Sequence, residues 1–291
     1  AHFNHDLRGE ESETDEKFVK NLTVNFDFEF ALGKEKISSE GNLEQNARDE
    51  RYKFLFETAE SLHAHAILTA HTLNDQAETF LHNLMRGSGL QGLGGMKPVT
   101  TLDSRILLVR PLLKWATRGD TENFCRLNKV EFRYDSMNED LKFNRVRIRK
   151  ILIPMLEDFN PKIIETLANT ASLMREENEF LDAAARKCFD EKKQIIENKE
   201  TNDEGQTTKD ETNNESLSLK DLKDLFPSMR KRILRDWLKT RRGDLRNLDA
   251  KHFQAIENLI FSRKSGKTIE LPKGEILVKN SGNLTFMKNK G

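Results

Sequence analysis

Apolar residues gather in short, strand-length runs around residues 1–3, 66–69, 105–109 and 131–134, and these alternate with stretches of helical period around 43–64, 75–85 and 117–127. Alternation of this kind predicts a parallel sheet covered by helices. Between the first two strands, Phe26, Phe28 and Phe30 alternate with polar residues over 25–32, which predicts one half-buried strand ahead of the long helix. Beyond Pro154 the pattern changes to a helical stretch from about 161 to 199, a polar linker, shorter helices, two β runs around Pro272-Lys273-Gly274 and a third at Leu284-Thr285-Phe286. An α/β domain over 1–157 is therefore expected, followed over 158–291 by a mainly helical domain that ends in short β strands. The linker near 200–216 has almost no apolar residue, and so too little surface to bury against the entropy of ordering; it is expected to be disordered.

The most informative stretch is Thr69-Ala70-His71-Thr72-Leu73-Asn74-Asp75-Gln76-Ala77-Glu78-Thr79, which follows the apolar run Ala66-Ile67-Leu68. It reads as strand, turn and helix, with Thr72 or Asn74 able to cap the helix. Ala77, Phe80, Leu81 and Leu84 recur at helical spacing and are expected to face the core, while Asp75, Glu78 and His82 share the other face. A helix start after a parallel strand is where open α/β sheets bind ligands. Carboxylates at such a mouth point to an additional cation or amine. Taken alone, an acidic residue in a first turn more often complements the helix dipole or is solvated, so the stretch needs its neighbours to read as a site.

Composition adds limits. A chain of 291 residues with 36% hydrophobic and 33% charged residues suits a soluble globular protein with two cores. The longest apolar runs, such as Ile106-Leu107-Leu108-Val109, are too short to span a membrane, and a cytoplasmic location is expected. Cys125 and Cys188 lie far apart, so neither a disulfide framework nor a zinc knuckle is available. Formal net charge is zero, but the charge is segregated: Glu10, Glu11, Glu13, Asp15, Glu16 and the tract 200–215 are acidic, whereas 145–150 and 230–251 are basic. Within 229–251, nine Lys or Arg face three Asp, with Met229, Ile233 and Trp237 marking a buried stripe. Such a helix could contact phosphates or simply carry a solvated face. His2, His5, His63, His65, His71 and His82 crowd the first part of the chain, but strand alternation separates His2 from His5, which argues against zinc.

Read together with Ala1-His2-Phe3-Asn4-His5-Asp6-Leu7-Arg8-Gly9-Glu10-Glu11-Ser12 and Arg86-Gly87-Ser88-Gly89-Leu90-Gln91-Gly92-Leu93, the chain resembles the tRNA(Ile)-lysidine synthetases, a family of PP-loop ATP pyrophosphatases. Glu44 with Ala47-Arg48 and Arg51-Tyr52, Arg110-Pro111-Leu112-Leu113, Asp135-Ser136-Met137-Asn138, Arg145-Val146-Arg147-Ile148-Arg149, Pro154 and Asn160-Pro161 extend the resemblance over residues 1 to 161, and it continues more weakly beyond. It implies a Rossmann-like parallel sheet of the PP-loop (adenine nucleotide alpha hydrolase-like) type. The family's Ser-Gly-Gly-x-Asp-Ser phosphate loop is absent from the sequence, which starts at what resembles the second strand; the first strand, loop and helix are expected upstream of Ala1, and the fragment alone is expected to be inactive. A noncatalytic tRNA-binding relic that has lost ATP binding is the competing explanation. Sulfur-inserting relatives typically carry paired cysteines, so ligation fits this chain better than thiolation.

What the resemblance implies is ATP-dependent ligation of lysine to C2 of cytidine 34 in the CAU anticodon of tRNA(Ile), through an adenylated tRNA, giving lysidine. ATP and Mg2+ are the implied cofactors, with tRNA(Ile) and L-lysine as partners, and relatives often form homodimers. Asp75 and Glu78 match the acidic pair that handles lysine and magnesium, Asp75 being the metal candidate; Arg145 would stabilise phosphate, with Arg149 one turn on sharing its face. His2, Asn4 and His5 would lie beside the adenine, and Arg86 and Gly87 would let backbone approach the nucleotide or RNA. Three positions depart from the family pattern: Asn74 replaces a common Asp, Thr72 a common His and Val146 a usual Asn.

Overall fold

The computed structural model describes residues 1–5, 9–35, 43–103, 105–134, 139–200, 216–280 and 282–288, without the side chains of 191–200. Arg8, the Asp135-Ser136-Met137-Asn138 motif and residues 201–215 of the expected linker lie outside the described residues. Two compact units are present, Ala1–Glu176 and Glu177–Gly291.

In the first unit, β1 (His2–Asn4), α1 (Glu10–Asn25), β2 (Leu32–Lys34) and α2 (Leu43–Ser61) come first, and β1 pairs in parallel with β2. Gly33 makes that pairing possible, because a Cβ there would lie 2.6 Å from the Phe54 ring and 2.7 Å from that of Phe3. Next come β3 (Ala66–Leu68), α3 (Leu73–Met85), the single turn α4 (Leu90–Leu93), β4 (Val99–Thr101), β5 (Leu107–Val109) and α5 (Arg118–Leu127). β3 and β5 are parallel neighbours, and β4 runs antiparallel along the far edge of β5. Ile67, Ile106 and Leu108 are buried against α2, whose Tyr52, Leu55, Phe56 and Ala59 form one helical stripe.

α6 (Asn144–Arg147) leads through a π-helical turn (Ile148–Leu152) into α7 (Ile153–Phe159) and the long α8 (Ile163–Glu200). The widened turn has a cause in the sequence. Pro154 has no N–H to give to the carbonyl four residues back, and its ring would clash there; the Ile153 N–H bonds instead to Ile148 O, five residues back. Ile148 and Ile153 are buried with Ala77 and Leu81 of α3, and Ile164 and Leu167 of α8 pack on the same cluster. Arg175 adds bonds to the carbonyls of Gly94 (3.0 Å) and Met96 (2.9 Å). These contacts carry the first unit to Glu176, beyond the break read at 157/158.

The second unit contains the rest of α8, β6 (Ser216–Ser218), α9 (Leu219–Lys223), α10 (Pro227–Arg242), α11 (Ala250–Phe261), β7 (Thr268–Leu271), β8 (Glu275–Asn280) and β9 (Asn283–Met287), the strands forming an antiparallel sheet of order β6-β9-β8-β7. Its core is built on Leu222, Leu234, Leu238, Ile256, Ile260, Leu277 and Leu284, with Met229 and Trp237 at the border. The basic run of α10 is partly internal: Arg230 forks onto Glu257 at 2.9–3.0 Å, Arg242 pairs with Glu275 and Arg232 with Asp182.

Several sequence expectations differ from the structure. Residues 25–31 form no strand: α1 ends in a turn with Asp27 at φ 56°, leaving Phe26 and Phe28 exposed, and the strand comes later as β2. Glu131 to Tyr134 has no strand partner; Arg133 pairs with Asp15 at 2.7 Å and Phe132 packs edge-on to Tyr134. Leu84 is exposed, because the core stripe of α3 ends at Leu81. Among the described residues no helix is long and apolar enough to cross a membrane.

Candidate active site

Two helix starts meet at the C-terminal ends of β3 and β5. Before α3, the Asp75 carboxylate accepts bonds from the Thr72 N–H (2.8 Å) and hydroxyl (2.9 Å); before α5, Asp120 does the same with Thr117 at 2.8 Å and 2.7 Å. Because the two strands are parallel neighbours, the helices begin side by side. The Leu73 N–H bonds to Ala116 O at 2.9 Å, and the Arg118 N–H bonds to the Asn74 side-chain oxygen at 2.8 Å. Asn74 therefore ties the two helix starts together, at the crevice where open α/β sheets take ligands.

Glu78, one turn into α3, is 3% exposed and its carboxylate is fully engaged. Arg149 forks onto it, Nε at 2.7 Å and Nη2 at 2.9 Å, and Arg118 Nη2 reaches it at 3.3 Å. The hydrogen bond to Glu78 holds the Arg149 guanidinium above its ordinary pKa against the opposing effect of burial. The π-helical turn is what sets Arg149 at this place. Asp75 sits beside the pair, its Oδ1 3.5 Å from Arg118 and 4.0 Å from Arg149. These acids do not fit a magnesium site: Glu78 is forked by arginine, one Asp75 oxygen caps a helix and the other faces two guanidiniums.

Next to the acids lies a crowded basic group. The Arg48 guanidinium stacks 4.9 Å over the Tyr52 ring; burial pulls its pKa down, Tyr52 raises it, and Arg145, Arg51 and Arg110 lower it further. Arg110 is buried, donating to Lys97 O at 2.7 Å, and its Nε has no hydrogen-bond partner among the described residues. His71, held 2.9 Å from Thr69 Oγ1, is pulled to about 4 mainly by burial, with Asp75 opposing and Arg110, Arg48 and Arg51 assisting. His5 is lowered by burial and then by Arg51 and His2, and its Nδ1 is buried without a partner among the described residues. Neutral imidazoles among crowded guanidiniums, with an orphaned N–H, make a place for a polyanion such as a triphosphate.

The structure brings Asp75, Glu78 and Arg149 into one cluster. Arg145 joins the basic group and pairs with Glu44 at 3.5 Å, while Arg149 turns to Glu78. His2 and His5 flank Phe3 on and just after β1, with His5 near Arg51, while the buried Asn4 amide donates to Glu16 at 3.0 Å. Arg86 and Gly87 are not brought to the cluster. They terminate α3, about 16 Å along the helix from Asp75. There the N–H groups of Gly87 and Ser88 bond to Leu84 O and Asn83 O at 3.0 Å, and Gly87 takes φ 71°, a stop that needs no ligand. Sequence reasoning missed Arg118 and gave no role to Arg48, Arg51, Arg110 or His71. A signal for Arg118 was present: Thr117-Arg118-Gly119-Asp120 repeats the Thr-x-x-Asp spacing of Thr72 and Asp75.

Comparison with known proteins places the chain in a family. Residues 1–156 match the PP-loop domain family, and residues 217–285 match the TilS substrate binding domain. The tRNA(Ile)-lysidine synthase of Nostoc sp. is 33% identical over 294 residues, covering 99% of this chain and 82% of the relative. Those of Clostridioides difficile and Solibacter usitatus are 29% and 32% identical over 94% and 89% of this chain, which spans only 56% and 54% of their lengths. A solved U34-tRNA thiolase from Methanococcus maripaludis, with its [4Fe-4S] cluster, shares the fold at a TM-score of 0.50, 13% identity and 60% coverage of each chain. The chain belongs to the tRNA(Ile)-lysidine synthase family of PP-loop proteins.

Proposed function

We propose that this chain carries the acceptor site of an ATP-dependent ligase that joins L-lysine to C2 of cytidine 34 in the CAU anticodon of tRNA(Ile). One observation carries the reading: a buried carboxylate forked by arginine at two adjacent helix starts, beside a crowded basic group. ATP, when bound, supplies an adenylyl group that turns the C2 oxygen into a leaving group. Arg48, Arg51, Arg110 and Arg145 are placed to hold its phosphates and to balance the charge that develops there. Arg118 and Arg149, held in place by Glu78, would take the lysine carboxylate and Asp75 its α-ammonium, leaving the side-chain amine free to attack C2 as AMP departs. The relatives' name and the matched substrate-binding domain support a tRNA substrate.

The test is nucleotide consumption by the complete gene product with unmodified tRNA(Ile) and lysine. Pyrophosphate and AMP are expected in equal amounts and only when tRNA is present, with Arg48→Ala reducing the rate by about a hundredfold. RNA binding without ATP consumption would overturn the reading in favour of a noncatalytic RNA-binding protein.

A further inference from the structure

We infer that Trp115 is a stacking platform for an unpaired nucleobase at the mouth of this site. The inference rests on the proposed RNA substrate and assigns a residue to its recognition. Trp115 is 66% exposed, yet its indole N–H is already satisfied, donating to Pro111 O at 3.0 Å. With the polar edge bonded, what remains in water is ring face. The ring has no inward route, because the backbone around it is anchored: Leu113 and Ala116 are buried, and the N–H groups of Trp115 and Ala116 both bond to Leu112 O.

The anchor leads directly to the site. Ala116, the next residue, accepts the Leu73 N–H at the start of α3, and Arg118 bonds through its backbone to Asn74 and through its side chain to Glu78. Neighbouring Cα atoms are about 3.8 Å apart, so Trp115 stands within three residues of a guanidinium that touches the acid pair. Phe28 and Phe159 are also exposed, but neither adjoins such a group and neither is tied to a helix start. A lone exposed aromatic needs no explanation in general. This one is a fixed, flat surface beside the exposed Lys114, at the opening where chemistry on a base is proposed. A nucleobase is the ligand whose chemistry matches: a π face for the ring and a phosphate for the flanking cation. A base that is to react must leave its stack, and an aromatic face replaces the stacking it loses.

The sequence has two tryptophans, Trp115 and Trp237, so Trp237→Phe leaves Trp115 as the sole indole reporter. The 291-residue chain carrying Trp237→Phe is titrated with an anticodon stem-loop RNA bearing CAU, while filter retention follows binding independently. Quenching of Trp115 that tracks retention is expected, with none from a blunt RNA duplex, whose bases are already stacked. Trp115→Ala is expected to weaken stem-loop retention by about fivefold to a hundredfold, and Trp115→Phe to restore most of it. Because Trp115 is exposed, circular dichroism should show the alanine variant folded. Retention without quenching, equal affinity of the alanine variant, or no binding of the stem-loop would overturn the inference. Lysine transfer by the complete gene product is scored separately: its absence alongside intact quenching would remove the proposed reaction and leave the platform standing.

Discussion

At the scale of single residues, Glu78 bears the most. A carboxylate with 3% exposure, forked by Arg149 and touched by Arg118, cannot lose its charge without stranding two guanidiniums. Glu78→Gln should cost about 3 kcal/mol of stability, read from the urea midpoint, and reduce lysine transfer by at least about a hundredfold. An unchanged midpoint would mean that the carboxylate is solvated. His71 gives a pH signature. Its pKa falls from 6.5 in the unfolded chain to about 4 in the fold, so between these values the unfolded state takes up a proton that the folded state refuses. Stability should therefore fall on acidification from pH 6.5 towards pH 4, and the His71→Gln variant should lose that part of the dependence.

At the scale of elements, α3 was legible from its cap and its period, because Thr72 and the buried Ala77, Phe80 and Leu81 are local signals. The roles of its two acids were not, since Glu78 owes its burial to Arg149, seventy-one residues away, and to a π-helical turn imposed by Pro154. Helical spacing put Arg145 and Arg149 on one face, yet their side chains go to different partners, Glu44 and Glu78, a choice made by residues far away in the chain. The Phe26-Phe28-Phe30 alternation misled because a left-handed Asp27 bends the chain before any strand can form. Gly87 separates a helix stop from a ligand contact. Gly87→Ala should cost about 1 kcal/mol, seen as a lower Tm, because a Cβ is disfavoured at φ 71°, and lysine transfer should persist. Asn74→Ala should leave the Arg118 N–H without its partner and loosen the junction of α3 and α5, lowering transfer more than stability, as paired kinetics and melting would record.

At the scale of the whole molecule, zero net charge concealed two different uses of arginine. In the second unit Arg230 pairs with Glu257, holding α10 to α11, and Arg242 with Glu275, holding α10 to β8, so Glu257→Gln should destabilise that unit by about 3 kcal/mol in denaturant while leaving the Glu78 cluster intact. In the first unit Arg48 and Arg51 lie over the Tyr52 ring and Arg145 pairs with Glu44 only at 3.5 Å, and RNA binding that uses this group should weaken by about tenfold as salt rises from about 50 to about 200 mM. The central claim joins the acid cluster to one reaction, and transfer of labelled lysine to unmodified tRNA(Ile) by the complete gene product tests it most directly. The account predicts label in the RNA that requires ATP and the CAU anticodon and is lost with Glu78→Gln; undiminished transfer by that variant, or none by the parent protein, would contradict it.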